Sequence, residues 1–110
     1  MKNRLKPTVL LLALLTSTAC FRNDIRTETF QIDQLRSPEA LTLINARLQT
    51  LKGVQHTTPD YEARTLTVVF NGRDLYLKNI ENAIVKGGFS LPNHPATKAD
   101  ILKLPPELQQ

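Results

Sequence analysis

Apolar and polar positions divide the chain into regions of different period. Residues 9–15 are apolar without interruption, a run too short to span a bilayer comfortably. From residue 27 the pattern alternates. Residues 27–33 put Phe30 and Ile32 on one side and predict a strand. Leu41, Ile44, Leu48 and Leu51 then recur at helical spacing and make one apolar stripe. Ser37-Pro38-Glu39 opens that helix well: Ser37 caps, Pro38 suits the first turn, and Glu39 complements the dipole. Gly53 closes it as a left-handed cap candidate. Residues 54–61 read as a second strand with Thr57, Pro59 and Tyr61 on one face. Residues 65–70 are the clearest strand, with Leu66, Val68 and Phe70 inward. After the Asn71-Gly72 turn, Asp74 is the expected cap of a second helix facing inward through Leu77, Ile80, Ala83 and Ile84. Gly87-Gly88 stops it, and residues 89–91 form a short last strand ended by Pro92.

Strand, helix, two strands, helix, strand predicts an α+β, ferredoxin-like βαββαβ domain over residues 27–91. Its antiparallel four-stranded sheet carries both helices on one face. Right-handed crossovers give the strand order fourth, first, third, second. Pro59 cannot donate to a ladder, and this order puts its strand at an edge. Residues 92–110 form a Pro-bounded tail whose Ile101, Leu102 and Leu104 give it a small apolar side. Two readings stay open for it, docking onto the domain or a flexible peptide that meets a partner.

Charge changes the picture at the N-terminus. The formal net charge is +4, from 14 Lys and Arg against 10 Asp and Glu. No acid precedes Cys20, whereas Lys2, Arg4 and Lys6 do, so three of the four excess charges lie in that leader. The chain from Cys20 onward is nearly neutral, and the basic balance therefore does not argue for a nucleic-acid partner. Basic residues, a short apolar run and the small residues Thr16-Ser17-Thr18-Ala19 read as a secretory signal peptide over residues 1–19. With a single Cys and no Trp, the chain is neither a disulfide scaffold nor a Cys-rich zinc module.

Ser17-Thr18-Ala19-Cys20 resembles the lipobox of bacterial lipoproteins, with Ser17 where that family usually carries Leu. The resemblance implies cleavage before Cys20, with acyl chains such as palmitate on its sulfur and new N-terminus. That would anchor the protein in the cell envelope, facing the periplasm, on a leash of residues 20–26. Phe21, where Asp usually marks inner-membrane retention, points to the outer membrane if the host is Gram-negative. Ser17-Thr18-Ala19 also suits ordinary signal cleavage, which would leave a secreted soluble chain with a free Cys20 thiol.

The core resembles a second family. Leu51-Lys52-Gly53-Val54, residues 66–71, Ile80-Glu81-Asn82-Ala83-Ile84 and Gly87-Gly88-Phe89 stand in the order and spacing of a heavy-metal-associated domain. That module occurs in copper chaperones, periplasmic mercury-binding proteins and metal-pump N-termini. Its Gly-Met-x-Cys-x-x-Cys motif falls on residues 34–40, so Ser37 and Ala40 occupy the two thiolate positions. Neither can replace a thiolate towards Cu(I) or Hg(II). The resemblance therefore implies a metal-chaperone scaffold without its ligands or a resident metal, used as a binding module. Such domains dock through this end of the sheet, so Leu35, Arg36, Ser37 and Pro38 form the candidate patch. A protein partner from a metal-transport system would fit it. The alternative is a periplasmic metal-binding or transfer protein with non-standard or partner-supplied ligands.

Other chemistry is thin. His56 and His94 are weak metal candidates, placed by the expected topology on opposite sheet edges roughly 14 Å apart, at the end away from the 34–40 loop. Asp60 and Glu62 read as an exposed turn. Ser37 has no expected base within reach, and no catalytic constellation assembles, so an enzyme is not expected.

Overall fold

The structure is a computed structural model that describes residues 24–109. The expected signal peptide and Cys20 lie outside these residues. The described chain runs β1 (Ile25–Gln31), α1 (Pro38–Leu48), β2 (Val54–Asp60), β3 (Thr65–Asn71) and α2 (Leu77–Lys86). A short α3 (Lys98–Ile101) and a 3-10 turn (Pro106–Leu108) come after them in the tail. The strands form an antiparallel sheet in the order β1-β3-β2. β3 alternates strictly, with Leu66, Val68 and Phe70 buried beneath the helices. The other face carries Thr29 and Thr67, whose hydroxyls meet at 3.1 Å. Ile44 and Leu48 of α1 and Ile80 and Ile84 of α2 close the core over the sheet. Pro59 lies on β2, an edge strand, where its missing N–H costs no ladder bond.

The expected fourth strand is not formed among the described residues, which hold three. Phe89 and Leu91 are buried as a strand's inner residues would be. The chain then reverses at Pro92-Asn93, where Leu91 and His94 exchange both backbone bonds at 3.0 Å. The segment does not pair with β1, and the outer edge of β1 has no backbone partner among the described residues. An open cleft of about 620 Å³ lies along this edge, between Thr29–Gln31, the 91–94 turn, and Lys78, Glu81 and Asn82 of α2.

Three boundaries also differ from expectation. α1 ends at Leu48 with Gln49 as its C-cap, and Gly53 serves the later turn into β2 at φ +112°. Asp74 does not cap α2. Asn71 first gathers the chain into a turn, its backbone oxygen accepting from the N–H groups of Asp74 and Leu75 at 3.1 Å each. Its side-chain oxygen accepts from Arg73 N–H at 3.0 Å, and the helix starts only after Tyr76. In consequence Leu75, not Leu77, belongs to the core, while Leu77 is exposed.

The tail packs onto the domain. Leu104 and Leu108 are buried in the same core cluster as the sheet residues. Ser90 Oγ accepts from Ala96 N–H at 3.0 Å, and Gln109 donates to the Leu104 carbonyl at 2.8 Å.

Candidate functional site

The loop between β1 and α1 carries the positions singled out by the sequence. It is built inward. Ile32 and Leu35 are fully buried, and Ile32 N–H donates to Arg64 O at 2.8 Å, extending the sheet beyond Gln31. Leu35 N–H returns to Ile32 O at 3.0 Å. Leu35 is thus the loop's anchor beneath the surface, while Arg36 and Pro38 of the same candidate patch are exposed and Ser37 is half-buried. Arg36 is oriented by its own loop, its Nε donating to Asp33 O at 3.1 Å.

Ser37 and Ala40 meet across the first turn of α1. Ser37 is the N-cap, with extended backbone, and its Oγ accepts from Ala40 N–H at 3.5 Å. Ala40 is fully buried. One of the two positions therefore satisfies a helix N-terminus, and the other is a core methyl. The residue that sequence reading missed is Gln34, a buried polar side chain. Its Nε2 donates to Gly88 O at 3.5 Å and ties the loop to the end of α2. Its Oε1 is buried with no partner among the described residues.

The two histidines stay apart. His56 sits on the β2 edge opposite Val69, on the face away from the helices, and lines a shallow pocket with Asn45, Leu48 and Gln49. His94 instead borders the cleft beside Thr29, Phe30 and Gln31, the end of β1 that leads into the loop. The expectation that it lies at the opposite end fails because the chain turns back at Pro92-Asn93. Among the described residues, no three His, Cys, Asp or Glu side chains come together as a metal-holding group. Asp60 is occupied locally, its carboxylate accepting from Ala63 N–H at 3.1 Å within the β2–β3 turn.

No family model matches the chain, and no curated protein sequence matches it significantly. Solved structures do. A protein from Bacillus anthracis assigned to copper-ion binding superposes with a TM-score of 0.57 at 20% identity, covering 63% of this chain and 97% of its own. The CopZ metallochaperone gives 0.56 at 14% identity, covering 60% and 98%. Oxidized MerP from Ralstonia metallidurans CH34 gives 0.55 at 15% identity, covering 63% and 99%. The fold is that of the heavy-metal-associated domain. Almost the whole of each neighbour is covered, while more than a third of this chain has no counterpart in it. Among the described residues, no helix is long and apolar enough to cross a membrane.

Proposed function

We infer that the chain is a protein-binding module built on the heavy-metal-associated fold and held at an extracytoplasmic membrane surface by a lipid on Cys20. The observation that carries this reading is the state of the two chelating positions. Ser37 Oγ is engaged as a cap, and Ala40 packs in the core without a donor atom. Asp33, Arg36, Pro38 and Glu39 remain exposed around them and offer a small surface of mixed charge. Packing from below by Leu35 and the bond from Gln34 to Gly88 O hold this surface in shape. The copper-ion-binding and metallochaperone neighbours support a partner from a metal-transport system.

Those same neighbours favour one second reading, metal binding or transfer through non-standard ligands of the chain itself. Titration separates the two. A Cys20→Ser chain, free of the one native thiol, should show no one-to-one binding of Cu(I), Hg(II), Zn(II) or Ni(II) at micromolar affinity or tighter. Tight one-to-one binding would replace the first reading by the second. Adding Ser37→Cys and Ala40→Cys to that chain should create soft-metal affinity, because the two positions share one helical turn. No gain would mean that residues 34–40 do not correspond to the metal loop.

A further inference from the structure

One end of the sheet gathers features that the fold itself does not use. The described chain begins there: Asp24 O accepts from Gly72 N–H at 2.8 Å, and Ile25 pairs with Asn71. Arg26 lies over Gly72, its Nε 3.3 Å from the Asp24 carboxylate. The turn of Asn71 to Leu75 packs on Gly53, whose carbonyl accepts from Asn71 N–H at 2.8 Å. Around this junction stand three of the four exposed large apolar side chains among the described residues: Ile25 at 41%, Tyr76 at 78% and Leu77 at 38%. Tyr76 is the N-cap of α2 and makes no side-chain cap bond there. Ser, Thr, Asp or Asn would serve that position better, so the ring is not explained by the helix it precedes. Arg26, Lys52, Arg73 and Lys78 lie within a few residues of this junction along the chain, with Asp24 and Asp74, and Arg26 is paired with Asp24.

We propose that this end of the domain rests on the bilayer, with Tyr76, Leu77 and Ile25 at the headgroup level. The proposal builds on the lipid-anchor reading. Four residues lie between Cys20 and Ile25, and the five Cα-to-Cα steps reach roughly 17 Å when extended. β1 has seven residues and runs about 23 Å. A leash shorter than the strand cannot let the domain invert and lay its opposite end on the membrane. Of the two ends of the sheet, the one the leash keeps near the bilayer is therefore the end that presents Tyr76. Tyrosine is suited to that depth because its ring is apolar and its hydroxyl stays wet. The surplus of Arg and Lys there complements anionic headgroups. The Arg36–Pro38 surface, on the loop that leaves the other end of β1, then points away from the membrane towards a partner.

The chain contains no Trp, so Tyr76→Trp gives a single reporter. The mature lipidated protein would be reconstituted in vesicles of phosphatidylethanolamine and phosphatidylglycerol. A Leu102→Trp chain, at the fourth exposed apolar position, serves as the distal control. Emission from the Tyr76→Trp chain should shift to the blue on vesicles and be quenched most by lipids brominated near the headgroup. Emission from the Leu102→Trp chain should stay water-like and unquenched. Flotation of the vesicles reports the anchor separately. A Tyr76→Trp chain that floats with its indole unquenched and unshifted would overturn the orientation and leave the anchor standing. Protein that fails to float would overturn both. A blue-shifted indole in the Tyr76→Trp chain that brominated lipid does not quench would assign the patch to contact with a second copy of the chain and overturn the proposal.

Discussion

Gly88 shows how a single position can be legible in kind but not in cause. The pair Gly87-Gly88 reads from sequence as a helix stop, and α2 does end at Lys86. The two glycines are not equivalent, however. Gly87 has ordinary helical backbone at φ −78°, and an added Cβ would meet chiefly the flexible Arg47 side chain at 3.0 Å. Gly88 sits at φ +98°, and a Cβ there would lie 2.7 Å from Asp100 O and 2.8 Å from Leu104 Cγ. Gly88→Ala should therefore cost about 1–3 kcal/mol from backbone strain alone and loosen the tail as well. Gly87→Ala should cost clearly less, and the two urea midpoints compare them directly. Nothing in the pair's own sequence distinguishes them, because the decisive neighbour is Leu104, far along the chain. Ser37 is the opposite case. Its capping role was legible because the cap bond is local, needing only Ser-Pro-Glu and the residue three places on. Gln34 was illegible because its partner, Gly88 O, comes from a distant segment.

At the scale of elements, β3 was the easiest to read and the last strand the hardest. Leu66, Val68 and Phe70 alternate over a whole strand and fix both its identity and its inner face. Residues 89–91 offer only two buried side chains, too few to decide between a strand and a packed turn, and the reversal at Pro92-Asn93 decides for the turn. The tail beyond it depends on α3. Thr97 caps that helix by accepting from Asp100 N–H at 3.2 Å. The Asp100 carboxylate accepts in return from Lys103 Nζ at 2.9 Å and from Thr97 Oγ1 at 3.1 Å. These bonds, led by Lys103, hold the Asp100 carboxyl below the ordinary aspartate range. A carboxyl so lowered stabilises the folded tail at neutral pH, and that contribution is lost as the pH falls through the lowered value. Hydrogen exchange should show this. The amides of Ile101 and Leu104, bonded to Thr97 O and Ile101 O, should lose protection in acid before that of Val68. Asp100→Asn should weaken them at neutral pH and flatten the dependence.

For the whole molecule, the outer edge of β1 sets a condition on how the protein can be used. Its edge is open among the described residues, and an unpaired edge is a template for another strand. Position 28 pairs with Val68 and position 26 with Phe70, so Glu28 and Arg26 stand on the helix-side face where a fully covered strand would carry apolar residues. Both are exposed, and Arg26 is paired with Asp24. A second chain adding to this edge would have to bury those charges. Glu28→Val should leave the monomer folded, since the position is already outside the core, yet promote concentration-dependent oligomers detectable by light scattering. An unchanged monomer at high concentration would show that the edge is guarded by something else. The guard matters most for a tethered protein. Confinement to a surface raises the local concentration far above that in solution and aligns neighbouring copies side by side, sheet edges level. If the proposed anchor crowds the domains in this way, Glu28 and Arg26 would be what keeps a lawn of separate domains from joining edge to edge.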